Sequence, residues 1–297
     1  KMKKLLITGA NGFIGKNLIE HLYKKYKIIC LVYDNKFNYK DLDIVNIDFS
    51  DIDENKLNEN FKNLDYVIHL AAVLDPYDKN IRKVNVGATK NLVELANKNK
   101  IKKFIFLSTE NILHKNKDLY TKTKIEAENI VKKFRNYIIL RSTLVYGKYD
   151  NKYISSLIKF IKKSPIIIMP GKGDKLMQPI YVKDLVKCIE NCLKYDIKGT
   201  YLVAGGSKVT YNQIINLILQ ELNLKKIKIH FPMPLLKILI KIYEMISKKP
   251  SIRLSQLENL DKNRIYNIET SKKILKYKPL NIEEGIKDLI KNKNTKF

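Results

Sequence analysis

Residues 4–22 constrain this chain more than any other stretch. A short apolar run, Lys4–Thr8 (KLLIT), meets Gly9-Ala10-Asn11-Gly12-Phe13-Ile14-Gly15. A segment to Tyr26 follows, with Ile14, Leu18, Ile19 and Leu22 at the spacing of one helix face. A strand that turns through glycines into a helix aims free backbone N–H groups and the positive end of the helix dipole at whatever occupies the turn. Gly9 suits the tight turn, Gly12 lets backbone approach a ligand, and Gly15 allows close packing of helix and strand. GxxGxxG alone is a weak signal, because loops collect glycine. Between strand and helix it predicts a site for the pyrophosphate of a dinucleotide.

The same alternation continues. Lys27–Val32, Ile44–Ile47, Asp65–Ala72, Lys103–Ser108 and Tyr137–Arg141 read as buried strands, with helical patterns over Asn80–Asn99 and Leu119–Phe134. Strands apolar on both faces, alternating with helices, predict a doubly wound parallel α/β sheet of Rossmann-like type. The second half is less regular. Tyr153–Lys163, Tyr181–Tyr195, Thr210–Leu222, Leu235–Ile246 and Ile282–Ile290 read as helices; Ser164–Met169, Thr200–Val203 and Lys226–Phe231 read as strands. At 297 residues the chain has room for two domains. With no linker or repeat between the halves, they are expected to interleave. Residues 2–142 plus 179–204 form the dinucleotide-binding domain, and 143–178 plus 205–297 a smaller mixed α/β substrate domain.

The net charge of +27 suggests a polyanionic partner. The cations, however, are nearly all lysine, spread along the chain with asparagine and isoleucine, and the five arginines do not cluster. We read a solvated lysine coat that favours an anionic small substrate and no specific nucleic acid. Three cysteines cannot make a disulfide framework, so a reducing, cytoplasmic setting is expected. No apolar run reaches the roughly 18 residues of a membrane span. Met233–Lys249 is apolar with Lys237 and Lys241, and reads as a helix packed over a substrate cleft rather than one lying on a membrane. Cys188 and Cys192 share a helix face without a second thiol pair, so no metal site is predicted, and His69 within a strand reads as a core group.

Tyr120 and Lys124 form a YxxxK pair whose i,i+4 spacing puts both on one helix face. A phenol with a pKa near 10 is a poor acid–base group at neutral pH, and an adjacent ammonium favours its phenolate. Ser108-Thr109 at the carboxyl end of the fifth strand adds a hydroxyl where open α/β sheets bind ligands. After the second strand, Asp34 suits ribose hydroxyls and hence NAD, whereas Lys36 suits a 2′-phosphate and hence NADP.

In their order, TGANGFIG (8–15), Asp48 in VNIDFSD, HLAA (69–72), NVGATKN (85–91), FLSTENI (106–112), YTKTK (120–124), LRSTLVYG (140–147) and GKGDKLMQPIYVKDL (171–185) resemble the extended short-chain dehydrogenase/reductases. The branch they match is that of the NAD-dependent epimerases and dehydratases. The resemblance implies that Gly9, Asn11, Gly12, Phe13, Ile14 and Gly15 cradle the pyrophosphate of NAD, and that Asp48 and Phe49 bracket the adenine. It implies that Leu70, Ala71 and Ala72 line the cofactor groove, that Asn85 steadies the site and that Val145 touches the nicotinamide. Thr109, Tyr120 and Lys124 would be the catalytic set, with Lys124 also on the ribose. A nucleotide-sugar 4-epimerase or keto-sugar reductase, assembled as a homodimer through 80–99 and 119–134, is the implied activity. A non-sugar carbonyl substrate and a non-catalytic assembly protein are the alternatives. The chain departs from the pattern in four places. Only ten residues separate Thr109 from Tyr120, Asn111 replaces the second acid of the dehydratases, Ser142 replaces a frequent proline, and Tyr33 precedes Asp34 at the ribose position.

Overall fold

The computed structural model describes residues 2–33, 39, 42–247 and 253–293. In chain order the elements begin β1 (Lys4–Thr8), α1 (Phe13–Leu22), β2 (Lys27–Val32), β3 (Asp43–Asn46), α2 (Glu54–Glu59) and β4 (Tyr66–His69). A π-helical turn (Lys83–Ala88) runs into α3 (Thr89–Lys98), then come β5 (Lys103–Thr109), a 3-10 turn (Glu110–Leu113), α4 (Leu119–Val131) and β6 (Tyr137–Ser142). The next stretch holds β7 (Val145–Tyr146), α5 (Ile154–Lys163), β8 (Ile166–Pro170), β9 (Leu176–Met177), β10 (Ile180–Tyr181), α6 (Val182–Lys194) and β11 (Gly199–Val203). Last come β12 (Val209–Thr210), α7 (Tyr211–Glu221), β13 (Ile227–Phe231), α8 (Met233–Ile246), α9 (Leu254–Leu260), α10 (Glu269–Leu275) and α11 (Ile282–Lys293).

The chain divides into two units. The first comprises Lys1–Thr143, Val182–Val203 and Ile268–Tyr277. Its sheet, among the described residues, has seven strands in the order β11-β6-β5-β4-β1-β2-β3, every pair parallel. Alternate residues on both faces of the strands are buried: Leu6, Leu31, Val67, Phe104 and Ile139 pack with Leu92 and Val131 from the helices and Phe61 from the turn after α2, while Leu5, Ile7, Cys30, Ile68 and Ile105 are buried between them in sequence. That doubly buried pattern is why these strands read as unbroken apolar runs. Ile268–Tyr277, which the sequence reading places in the other domain, belongs to this unit because the Asn191 amide of α6 donates to the carbonyls of Leu275 (2.8 Å) and Lys276 (2.9 Å). On α6, burial alone would raise the pKa of the Glu190 carboxyl. Hydrogen bonds from His21, Lys187, Lys194 and Lys25 outweigh burial and hold it well below the carboxylate range, tying α6 to α1. Cys188 and Cys192 point into the core, and burial pushes the Cys192 thiol up to about 12.

The strand order creates a place for a ligand. β1 pairs β2 on one side and β4 on the other: the chain winds outward from β1 through β2 and β3, then crosses back to β4, so the winding reverses between β1 and β4 and a crevice opens at their carboxyl ends. Thr8 and His69 are register partners at that edge.

The second unit comprises Leu144–Tyr181, Ala204–Asn267 and Lys278–Phe297. It is built on short pairs: β7 with β10 and β8 with β13 run parallel, and β9 with β12 antiparallel. Thr210 and Gln213 form a reciprocal capping box that starts α7. Tyr146 and Tyr181 are buried with ring centroids 5.3 Å apart, and the Tyr181 hydroxyl donates to Asp288 of α11. No residue of α8 is fully buried; Met233, Leu236, Lys237, Ile240 and Glu244 are half-buried and the rest of the helix is exposed.

Candidate active site

The glycine turn is held by its neighbours. Gly9 has φ +66°, and a Cβ there would lie 2.8 Å from the Ala71 nitrogen, so both backbone conformation and space demand glycine. A Cβ on Gly15 would stand 2.4 Å from the Gly9 carbonyl oxygen and 2.6 Å from that of Ala10. The close approach that fixes Gly15 is therefore to the turn itself, one step nearer the ligand than the helix–strand packing expected from sequence. Gly12 is exposed, caps α1 without a side-chain hydrogen bond, and is followed by a first helical turn with no acid. The opening N–H groups of a helix have no intrahelical acceptor, so this end fits an external phosphate. We expect Gly15→Ala to lose about 1–3 kcal/mol of stability through overpacking and to weaken NAD binding at least tenfold. Thermal melts and cofactor titration measure both.

Behind the turn runs a chain of buried hydrogen bonds whose directions are fixed. The Thr8 hydroxyl accepts from the backbone N–H of Leu70 (3.2 Å) and Ala71 (3.1 Å), so its own hydrogen goes to His69 Nδ1, 2.7 Å away. His69 Nε2–H then donates to Thr89 Oγ1 (2.9 Å), which donates to the Asn85 carbonyl (2.7 Å). The Asn85 amide clamps Val73, accepting from its N–H and donating to its carbonyl, and donates to Thr123 Oγ1 (3.0 Å). Thr123 in turn donates to the Tyr120 carbonyl (2.7 Å). A neutral imidazole with its proton on Nε2 thus joins the glycine turn to the helix carrying Tyr120. Burial, and secondarily the charge of Lys124, lowers the His69 pKa to about 3. Between that value and 6.5 the unfolded chain binds a proton that the folded one refuses. Stability therefore falls by about 1.4 kcal/mol for each pH unit below 6.5. Urea unfolding at pH 7, 6 and 5 should show this slope in the natural chain and lose it in His69→Gln.

Tyr120 lies in the first turn of α4, whose N-cap Asp118 accepts from the Thr121 N–H at 2.8 Å. One turn on, Lys124 is buried. Its Nζ donates to the Leu107 carbonyl (2.7 Å) and sits 3.8 Å from the centroid of the Phe106 ring, itself 5.3 Å from that of His69. That bond fastens α4 to the end of β5, immediately before Ser108 and Thr109. Burial drives the Lys124 pKa down to about 7, opposed by the charge of Glu128. Glu128 cannot neutralise the amine fully, since Arg141 grips its carboxylate with two bonds of 3.0 and 2.6 Å. Thr109 Oγ accepts from the Asn111 N–H (3.2 Å) and keeps a hydrogen to donate. Beside it the Ser108 hydroxyl is buried with no hydrogen-bond partner among the described residues, as expected where a ligand completes a polar site. The arrangement offers a phenol, an amine of lowered basicity on the same helix and a hydroxyl at a strand end, the components of proton transfer to a substrate oxygen.

Leu70, Ala71 and Ala72 follow β4 at the crevice, half-buried, and Asn85 is buried in the π-helical turn. Asp48 is exposed after β3. Its carboxylate accepts from the Ser50 hydroxyl (2.7 Å) and N–H (2.8 Å), and these bonds, with Lys83, lower its pKa. The Phe49 ring is packed in the core, so what it can present to an adenine is backbone. Asp34 and Lys36 lie outside the described residues, and Tyr33 before them is exposed. Val145 is buried in β7 of the second unit. Sequence reasoning misses Thr8, Thr89, Thr123 and the bridging role of His69. Their partners are 61, 20 and 38 residues apart, and only the pairing of β1 with β4 and the packing of α4 bring them together.

The parallel sheet, glycine turn and Tyr–Lys helix define a dinucleotide-dependent oxidoreductase scaffold. The sequence profile of the NAD dependent epimerase/dehydratase family matches residues 5–204, and the chain belongs to that family. It is 27% identical over 261 residues to the N-acetyl-alpha-D-glucosaminyl-diphospho-ditrans,octacis-undecaprenol 4-epimerase of Escherichia coli O157:H7, covering 78% of this chain and 76% of that protein. It is 23% identical over 330 residues to a decarboxylating sterol-4-alpha-carboxylate 3-dehydrogenase of Dictyostelium discoideum, covering 97% and 100%. Among solved structures, the UDP-N-acetylglucosamine 4-epimerase of Methanobrevibacter ruminantium M1, in complex with UDP-N-acetylmuramic acid, has the same fold. Its TM-score is 0.79 at 22% identity, covering 98% of each chain.

Proposed function

We propose that this protein is an NAD-dependent nucleotide-sugar oxidoreductase, acting as a 4-epimerase or keto-sugar reductase. The observation that carries the reading is Lys124, a buried amine of lowered pKa, fastened to the strand end that bears Thr109 and set one turn beyond Tyr120. The uncapped α1 terminus and the glycine turn fit the pyrophosphate of NAD, which when bound supplies the site's hydride acceptor and donor. Tyr120 takes the proton of the sugar hydroxyl through its phenolate oxygen and returns it when the ketone is reduced. Lys124, in its charged form, favours that phenolate. Thr109 donates to the substrate oxygen and holds it beside the phenol. For epimerisation, reduction occurs on the opposite face of the ketone, so the reaction consumes no cofactor. With Asn111 in place of a second acid, elimination of water is disfavoured.

Incubating the NAD-supplied protein with a panel of UDP- and dTDP-sugars, and resolving products by chromatography, tests the reading. Conversion of one sugar to its 4-epimer, or reduction of a keto-sugar, is the expected result; a folded, NAD-binding protein inert to the whole panel would reject it. A second reading substitutes an apolar or lipid-linked substrate, and the outward apolar face of α8 favours it. A homodimer through α3 and α4 and a cytoplasmic setting complete the proposal. Among the described residues no helix is long and apolar enough to cross a membrane.

A further inference from the structure

α8 is apolar on both sides, with Met233, Leu236 and Ile240 half-buried, and it turns a second apolar stripe outward. Its outward stripe is Leu235, Ile238, Leu239, Ile242, Met245 and Ile246, spaced three and four apart and 44–80% exposed. Two of its charged side chains turn the other way: Lys237 pairs with Asp261 at 2.6 Å, and Glu244 accepts from the Leu254 N–H that opens α9. A helix of a water-soluble domain normally buries its apolar stripe and solvates its charges. Six large apolar side chains in one exposed row are the mark of an interaction surface.

Charge identifies the occupant. Residues 225–249 contain seven lysines and one acid, Glu244, against 57 basic and 30 acidic residues in the whole chain. Lys225 and Lys241 are exposed within this stretch. A second copy of the chain would bring like charge against like around a shared apolar seam, whereas a negatively charged interface complements both the stripe and the lysine excess of the segment that carries it. We propose that α8 lies in the surface of an anionic lipid bilayer, its isoleucine and leucine row inserted among the acyl chains and Lys241 at the headgroups. Fourteen residues suffice for such a helix and are too few to span. The inference rests on the second unit alone and does not depend on the proposed activity.

The chain contains no tryptophan, so Leu239→Trp creates a single reporter on the stripe. This variant of the 297-residue chain would be mixed with vesicles of phosphatidylcholine containing about a third phosphatidylglycerol. A blue shift of its emission is expected, quenched by brominated acyl chains and persisting in about 0.5 M salt, where exposed charge pairs are screened. Adding Ile238→Ser and Ile242→Ser should weaken vesicle binding at least tenfold while the thermal midpoint stays unchanged, since neither side chain is buried. Three results would overturn the proposal. These are binding fully reversed by salt with no shift, which is a lysine coat adhering to charge; binding indifferent to the two serines; or a shift that grows with protein concentration without vesicles, which is self-association.

Discussion

Tyr120→Phe is expected to leave a folded protein that binds NAD as before and turns over roughly a thousandfold more slowly, the range general acid–base catalysis contributes. The substitution removes one oxygen. The backbone carbonyl of Tyr120, which accepts from Thr123, is untouched, so the helix and its tie through Asn85 survive. What is lost is the atom that carries the hydroxyl proton. The loss should fall on kcat rather than KM, because substrate affinity comes from contacts made before the proton moves. Steady-state kinetics beside a cofactor titration separate the two. A phenylalanine variant within a few-fold of the natural rate would remove Tyr120 from the mechanism.

Lys124→Met is expected to abolish turnover to a similar degree while making the protein more stable at mildly acidic pH. The amine's folded pKa of about 7 lies below its ordinary 10.5. Across that window the unfolded chain holds a proton the folded chain lacks, so stability rises with pH from about 7 to 10.5. At about 1.4 kcal/mol per unit, the full cost at pH 6 is on the order of 5 kcal/mol. Methionine removes that cost, keeps the volume, and leaves the Leu107 carbonyl without its 2.7 Å donor, a loss of about 1–3 kcal/mol. Taking the loss as about 2 kcal/mol, the variant should gain about 3 kcal/mol at pH 6, break even near about pH 9 and be less stable above it. Denaturant unfolding across this range tests the account. Lower stability at pH 6 would mean the buried amine is satisfied rather than strained.

Much of this architecture is legible in the sequence, for definable reasons. Strands buried on both faces leave unbroken apolar runs, and glycines forced by close backbone approach leave a fixed spacing, so β1, the turn and α1 can be read directly. Short pairs such as β9 with β12 leave no such trace, since two-residue strands have no period. The π-helical turn at Lys83–Ala88 is invisible within a continuous helical pattern, although it positions Asn85. The Thr8–His69–Thr89 chain depends on which strands pair, a property of topology rather than of local residues. The orientation of α8 is hidden for another reason: an apolar stripe on a helix looks the same in sequence whether it faces inward or outward. Lys237 and Glu244 set that orientation, and their partners Asp261 and Leu254 come later in the chain.

The central claim is that hydrogen on carbon moves as hydride while the hydroxyl proton passes through Tyr120. It is tested most directly with a nucleotide-sugar carrying deuterium at the reacting carbon, turned over in ordinary water. The label should be found in the product sugar or on the nicotinamide, and none in the solvent. Deuterium released to water during turnover would mean proton abstraction from carbon, and would contradict the account.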